Sequence, residues 1–192
     1  MRLAERLREE LQRPPLGPLF RGDFEDEDTT GTPAAVLIAV TERPDPGVIL
    51  TVRRDTMRTH AGQIAFPGGR IDPGEDAVAA ALREAWEELG LDPASVDVAA
   101  AIEPYRTITG FDVTPVVAAV PPDLPLKPHE HEVADWFEAP LAFLFDPENQ
   151  LRQSVVFQGR LRHYYEIRWN DRKIWGATAA MLVNLSRRLQ CS

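Results

Sequence analysis

Three glutamates stand close together in one charged stretch of the sequence. Glu84, Glu87 and Glu88 lie between Arg83 and Gly90, and at about 100° per residue their side chains project from one side of a helix. Like charges at this spacing repel each other, so local helix energetics favours them only if a cation lies among them. Carboxylate oxygens suit Mg²⁺ or Mn²⁺, and such an ion neutralises a diphosphate and activates water. The spacing predicts a metal-binding helix, and the alternative is an ordinary exposed acidic face.

A glycine-rich approach strengthens the metal prediction. Pro67, Gly68 and Gly69 allow close turns of the backbone, and Glu75 adds a carboxylate just before the helix. Residues 69–91 resemble the Nudix box, in which a glycine is followed six positions later by a glutamate and then by an Arg-Glu-x-x-Glu-Glu-x-Gly helix. Every polar and glycine position is filled. Ala85 departs from the pattern, at a packing position where the family usually has a larger aliphatic residue.

The resemblance implies hydrolysis of a diphosphate linkage and an α/β fold, a Nudix-type α/β/α sandwich with a mixed β-sheet. It also implies the roles of the matching residues. The implied metal ligands are Glu84, Glu87 and Glu88, with Glu75 and Gly69 as further members of the metal site. Arg83 is expected to orient the carboxylates. The predicted catalytic residues of the helix are therefore Glu87, Glu88 and Arg83.

A positively charged segment precedes the glycine-rich loop. Arg53, Arg54, Arg58 and His60 are opposed only by Asp55. Arginine suits phosphate because its planar fork donates two hydrogen bonds at once. The segment predicts an anion site, and the alternative is that these arginines pair with surface acids.

This segment also resembles the additional signature of the coenzyme A pyrophosphatases, a subfamily of Nudix hydrolases. Arg54 departs from it, since a small residue is usual there, and the resemblance extends to residues 175–178, covering most of residues 34–189. It implies cleavage of coenzyme A or a derivative to 3′,5′-ADP and 4′-phosphopantetheine or its acyl form. The predicted substrate-binding residues are Arg53, Arg58, His60, Gly68 and Gly69. The residues that match the signature are Leu50, Thr51, Arg53, Arg58, Gly62, Phe66, Pro67, Gly68 and Gly69.

The general base is predicted in the segment from His129 to Val133. Glu132 and Glu130 precede a strand in a loop that is able to swing towards the metal site. Glu132 ranks first because the Glu-Val pattern before a strand resembles the family's second acidic position. The alternating string His129-Glu130-His131-Glu132 suggests zinc, but the alternating side chains of an extended segment point to opposite sides, so a solvated loop is the simpler interpretation for both histidines.

The elements that must position these residues follow from hydrophobic patterning. Residues 1–33 are predicted to form an N-terminal helix and an irregular arm, packed on or leading to a hydrolase domain over residues 34–192, and residues 13–33 of this arm are most simply a solvated linker. No second domain is expected. The predicted strands are Ala34 to Val40 and Val48 to Val52 as a hairpin, Val96 to Glu103, Val113 to Val120, Val133 to Phe137, Ser154 to Gln158 and His163 to Trp169, and the predicted helices are Asp76 to Leu89 and Trp175 to Leu189.

The composition of the chain limits the kinds of partner that it is expected to bind. The 192 residues carry a formal charge of -9, which disfavours nucleic acid and anionic membranes. Cys191 is the only cysteine, and no apolar run approaches the ~20 residues that span a bilayer. We therefore expect a cytoplasmic monomer or homodimer acting on a small molecule. Two alternatives stay open: hydrolysis of another nucleoside diphosphate derivative (a dinucleotide, ADP-ribose or a nucleotide sugar), and a Nudix-type ligand-binding module without catalysis.

Overall fold

Two apolar, β-branched segments on either side of a Pro-Asp-Pro-Gly turn form the centre of the fold. In this computed structural model, which describes residues 2–23, 30–54, 62–157 and 159–189, β1 (Thr32–Thr41) and β2 (Gly47–Arg53) pair antiparallel with Val40 opposite Val48. The predicted hairpin is confirmed. The other elements are α1 (Leu3–Leu11), β3 (Ile64–Ala65), β4 (Gly68–Arg70), α2 (Ala77–Leu89), β5 (Asp97–Ala101), β6 (Tyr105–Arg106), β7 (Phe111–Val120), β8 (Val133–Pro140), α3 (Leu141–Phe145), β9 (Leu151–Phe157), β10 (Arg160–Trp169), β11 (Arg172–Trp175) and α4 (Ala177–Arg188).

The main sheet is mixed, as predicted. Its strand order is β3-β2-β1-β7-β5, with β4 beside β1, β6 beside β7 and β8 beside β2. The pair β1–β7 is parallel along its whole length, from Thr32 opposite Phe111 to Thr41 opposite Val120, while the other pairs of this sheet are antiparallel. Because β4 pairs with β1, the glycine-rich loop is fixed to the centre of the sheet.

Alternate residues of β1 supply the two layers of the core. Ala35, Leu37 and Ala39 pack with α2, whereas Ile38 and Val40 belong to the cluster that contains the apolar faces of α1 and α4. Each strand presents successive side chains to opposite faces, and full burial of a leucine or isoleucine contributes about 1.5–3 kcal/mol. The predicted α/β/α sandwich is confirmed.

The described part of the N-terminal arm lies against α4. The amide N–H of Phe20 donates to Asn184 Oδ1 at 2.8 Å, and Asn184 Nδ2 donates to the Phe20 carbonyl at 2.7 Å. Leu16 N–H bonds to the carbonyl of Arg187 at 2.7 Å, and the Phe20 ring contacts Tyr165. The interpretation of this arm as a solvated linker is therefore wrong for residues 13–23, because its backbone groups and its aromatic side chain find partners on the domain.

The last three strands form a separate antiparallel sheet, β11-β10-β9. Trp175 ends β11, and Gly176 follows with a φ of 64°. The prediction that the last helix begins at Trp175 is thus wrong by two residues, because Trp175 pairs with Glu166 of β10 and the left-handed glycine starts the turn into α4. Among the helices of the described residues, none is long and apolar enough to cross a membrane.

Candidate active site

Helix α2 is fixed closely against the sheet. Asp76 caps its start by accepting a hydrogen bond from Ala79 N–H at 2.8 Å, and Gly90 ends it with a φ of 65°. The small residues Ala81 and Ala85 are fully buried. Ala85, the departure from the Nudix pattern, therefore lies at a packing position where the helix approaches the strands.

Glu88 is buried beneath the glycine-rich loop. Its side chain is only 6% exposed, and its Oε2 accepts a hydrogen bond from Gly68 N–H at 3.2 Å. Loss of solvation raises the pKa of Glu88 to about 8, although the Gly68 hydrogen bond and the Arg53 charge act in the opposite direction, and the charges of Glu84 and Glu132 raise it further. Residues from β2, the loop, α2 and the segment before β8 thus share one electrostatic environment.

Arg83 connects the other carboxylates. Its Nε and Nη2 donate to Glu75 Oε1 at 2.8 Å and Oε2 at 3.1 Å, and its Nη1 donates to Glu84 Oε1 at 2.8 Å and Glu87 Oε2 at 3.3 Å. These hydrogen bonds lower the pKa of Glu75 and raise that of Arg83. A fifth bond, from Nη2 to the carbonyl of Arg70 at 3.0 Å, anchors the guanidinium to β4. The arginine is therefore held where it fixes three carboxylates at once.

Gly69 leaves no room for a side chain. A Cβ atom built on it would lie 2.5 Å from Cδ and 2.8 Å from Oε2 of Glu84, with Oε1 closer still. At Gly68 the obstacle is the backbone of β1, since a Cβ would lie 2.7 Å from the Cα of Val36. Burial raises the pKa of Glu84, and Glu87 and Glu132 add to this effect, whereas Arg83 opposes it. Close backbone approach and carboxylate crowding coincide at this position.

The donors are chemically suited to a divalent cation. Glu84 and Glu88 carry hard oxygen ligands in a partly desolvated place, where neighbouring carboxylates raise the pKa of each, and a cation would relieve that repulsion. Within residues 2–23, 30–54, 62–157 and 159–189, no three carboxylate, histidine or cysteine groups already surround one point closely enough to hold a metal. Arg83 binds oxygens of Glu75, Glu84 and Glu87, and these oxygens are of the type that Mg²⁺ prefers. The donor set therefore fits Mg²⁺ or Mn²⁺ by chemistry.

The two candidate bases lie in different surroundings. Glu132 raises the pKa of both Glu84 and Glu88, and its carbonyl accepts from Arg54 N–H at 3.1 Å. Glu130 instead lines an open cavity beside Glu87. The structure thus brings Glu132, and not Glu130, into the environment of the two partly buried glutamates.

The histidines of this segment are neighbours. His129 and His131 have ring centroids 5.5 Å apart, and the expectation that their segment is extended is wrong, because residues 130–132 form a turn. The chain turns here, and the carbonyl of His129 accepts from the N–H groups of both Glu132 and Val133 at 3.0 Å. An extended-strand geometry does not apply to a turn.

The arginine-rich segment is described only at its start. Arg53 ends β2 at a register shift between Val52 and Arg53, and its charge acts on Glu88. Arg58 and His60 lie outside the described residues, so their predicted roles stay predictions.

Two buried threonines that were not predicted as site residues hold the strand that enters the glycine-rich loop. The Oγ1 of Thr51 donates to the carbonyl of Ala65 at 3.1 Å, and that of Thr178 donates to the carbonyl of Ile64 at 3.1 Å. Both belong to the segments that resemble the coenzyme A signature, which was the only sequence signal for them. Since β3 leads directly to Phe66, these hydroxyls position the approach to Gly68.

Comparisons with known proteins agree with this geometry. The family model of the NUDIX domain matches residues 31–159. A protein of Cronobacter sakazakii named uncharacterized Nudix hydrolase NudL is 42% identical over 165 residues, covering 81% of this chain and 82% of the relative. The protein of the same name from Escherichia coli K12 is 39% identical over 173 residues, with 89% and 90% coverage.

Solved structures share the fold. The Nudix hydrolase RenU of M. smegmatis matches with a TM-score of 0.51 and 26% identity, over 64% of this chain and 74% of that one. A MutT/nudix family protein of Enterococcus faecalis matches with a TM-score of 0.51 and 15% identity, over 97% and 68%. With the family model, the close relatives and the helix of glutamates in agreement, we conclude that this chain belongs to the Nudix hydrolase family.

Proposed function

We propose that this Nudix hydrolase cleaves the diphosphate linkage of coenzyme A or its derivatives, releasing 3′,5′-ADP and 4′-phosphopantetheine or its acyl form. The observation that carries the proposal is a contact between the two motifs: Gly68 N–H donates to Glu88 Oε2 at 3.2 Å, and the charge of Arg53 acts on the pKa of the same carboxyl. Gly68 and Arg53 come from the segment that resembles the coenzyme A signature, and Glu88 comes from the hydrolytic helix. Residues of both motifs therefore act at the same place.

The other described parts of the signature support the same site. Thr51 and Thr178 bind consecutive carbonyls of β3, and β3 leads through Phe66, which is buried, to Gly68 and Gly69. These glycines place backbone against Glu88 and Glu84. Signature residues from two distant parts of the sequence thus converge on the loop that contacts the carboxylates.

Nudix hydrolases generally use divalent metals such as Mg²⁺ or Mn²⁺. In this chain we propose Glu84, Glu87 and Glu88 as the ligands, with Glu75 and Gly69 adjacent. Bound there, the metal supplies charge neutralisation of the diphosphate and makes water a better nucleophile.

The remaining roles fall to protein groups. Arg83 orients Glu75, Glu84 and Glu87 through its hydrogen bonds, and Gly68 N–H holds Glu88. Arg53 is suited to bind a phosphate oxygen of the substrate. Glu132 is the proposed acceptor of the proton from the attacking water, because its charge acts on both Glu84 and Glu88.

The substrate is tested by incubating the purified protein, with Mg²⁺ or Mn²⁺, with coenzyme A, ADP-ribose, a dinucleotide and a nucleotide sugar. Mass spectrometry of the products is expected to show 3′,5′-ADP from coenzyme A at the highest kcat/KM. Good turnover of another compound without release of 3′,5′-ADP would reject the coenzyme A assignment. Lack of turnover of every compound would favour the non-catalytic module.

Two variants test the catalytic assignment. Glu88→Gln keeps an oxygen that accepts the Gly68 hydrogen bond but loses the charge, so turnover should fall below detection while the circular dichroism spectrum is retained. Glu132→Gln should lower kcat by about 10²–10⁴-fold, as expected for loss of a general base, whereas the matched change Glu130→Gln in the same loop should have little effect. Equal losses for both loop variants would contradict Glu132 as the base.

A further inference from the structure

A cavity lies beside the glutamate helix, and of its lining residues only Glu87 has a role in the proposed reaction. Its volume is about 520 Å³, and it is lined by Trp86, Glu87 and Gly90 at the end of α2 and by residues 127–131. Small-molecule sites commonly have volumes of roughly 300–1,000 Å³. The cavity has the size to receive a nucleoside and not only solvent.

The walls of this cavity are held by backbone hydrogen bonds. Lys127 N–H donates to the carbonyl of Leu89 at 2.7 Å, and His129 N–H donates to the carbonyl of Glu88 at 2.8 Å. These carbonyls belong to the last turn of α2, which has no partners for them within the helix. The main chain of residues 127 and 129 is therefore fixed by hydrogen bonds to the end of α2, beside the cavity.

The cavity offers an aromatic surface. Trp86 is 54% exposed, which is unusual for a side chain with so large an apolar area. The rings of His129 and His131, which line the same cavity, contact each other edge to face. Planar bases stack on such side chains irrespective of their hydrogen-bonding pattern. An exposed indole and two imidazoles that line one cavity are suited to a purine.

The polar groups of the cavity suit the rest of an adenosine phosphate. Glu130 lines it, and a carboxylate accepts hydrogen bonds from an exocyclic amino group. Lys127 lines it as well, and in the described part of the chain no carboxylate forms an ion pair with it. This ammonium is one of only two lysines of the chain, and it is available to a phosphate.

The cavity borders the proposed metal site, because Glu87 lines it and shares the guanidinium of Arg83 with Glu84. In coenzyme A the diphosphate is attached directly to the 5′ oxygen of an adenosine that carries a 3′-phosphate. A diphosphate bound at the glutamates of α2 needs an adjoining space for that adenosine, and this cavity adjoins Glu87.

We propose that this cavity binds the adenosine 3′-phosphate portion of the substrate, with adenine against Trp86 and the 3′-phosphate at Lys127. The inference rests on the proposed function and extends it, because it explains how a compound with a 3′-phosphate is distinguished from one without. Arg53 then serves the diphosphate and Lys127 the additional phosphate.

The kinetic test compares coenzyme A with dephospho-coenzyme A, which lacks the 3′-phosphate. In Lys127→Met, kcat/KM for coenzyme A should fall on the order of 10-fold, while the value for dephospho-coenzyme A stays the same. Lys127→Arg should retain the preference. Arg6→Met is the matched control, since it removes one exposed positive charge from α1 and should not alter the ratio. Trp86→Ala should lower kcat/KM for both substrates, and Trp86→Phe should restore most of it.

A binding measurement separates this inference from the proposed function. Isothermal titration calorimetry with adenosine 3′,5′-bisphosphate should give a Kd that rises about 10-fold in Lys127→Met and in Trp86→Ala, whether or not coenzyme A is hydrolysed. An unchanged Kd in both variants, or lack of binding to the unaltered protein, would overturn the cavity assignment. Binding as expected, with no cleavage of coenzyme A, would instead overturn the proposed substrate.

Discussion

Replacing Gly69 with alanine tests whether the position of the Glu84 carboxylate controls the reaction. The new methyl group would lie 2.5 Å from Cδ of Glu84, while an ordinary van der Waals contact is 3.4–4 Å. The carboxylate must therefore move by about 1 Å, which is cheap because it is the end of a flexible side chain. A displacement of this size at a reacting centre costs on the order of 10²-fold in rate. Gly69 lies in a strand, so alanine should have little effect on folding.

The assay measures kcat with saturating Mg²⁺ and Tm by differential scanning fluorimetry. Gly69→Ala is expected to reduce kcat by about 100-fold with a small change in Tm. Gly68→Ala is the contrasting variant, since its methyl group meets the backbone of Ala35 and Val36 and should lower Tm by several degrees. Near-normal kcat in Gly69→Ala, with the fold intact, would refute the reasoning that this glycine exists to seat the carboxylate.

Three further changes have defined outcomes. Arg83→Lys loses the two-pronged contact with Glu75 and should lower kcat on the order of 10-fold at unchanged Tm; full activity would show that orientation by the fork is unnecessary. Thr178→Val leaves the buried carbonyl of Ile64 without this hydroxyl donor. It should reduce the free energy of unfolding by about 1–3 kcal/mol and lower kcat, and Thr178→Ser should restore both. A valine variant as active and as stable as the parent would argue against the positioning role of Thr178. Hydrogen bonds from Arg106 lower the pKa of Asp112 below its usual value. The contribution of this carboxylate to the free energy of unfolding is therefore present at neutral pH and is lost as the pH falls through the lowered pKa. In urea titrations, Asp112→Asn should cost about 1 kcal/mol at pH 7 and less below roughly pH 4, and a difference independent of pH would contradict this ion pair.

The site combines parts that differ in how far apart they lie in the chain. Glu84, Glu87 and Glu88 share one helical turn, whereas Arg53 and Glu132 reach the same place only because β2 pairs with β8, with Arg53 opposite Val133. Substitutions that disturb this strand pair should therefore affect the two distant residues together. The helix glutamates would keep their mutual spacing.

Local spacing by itself determined the helix of glutamates, the hairpin and the strands of the main sheet that are long enough to show a pattern. Residues three and four apart on a helix must be neighbours, so the sequence was sufficient to group Glu84, Glu87 and Glu88 and to place Arg83 within reach of Glu87. The family resemblance followed from the same spacing. Strands of two or three residues, such as β3 and β6, and the strand that ends at Trp175 were missed, because they are too short to show an alternating period.

Only the tertiary structure decided which distant groups meet. The burial of Glu88 beneath Gly68 depends on the pairing of β4 with β1, and the proximity of Glu132 depends on a loop that bonds to the last turn of α2. The spacing of residues along the sequence predicts neither contact, because the desolvation of a carboxylate and the effect of a distant charge on it depend on distances through space. The cavity at Trp86 has the same origin: an exposed tryptophan is visible in the sequence only as an aromatic residue, and the other lining residues, 127–131, lie far from it in the sequence.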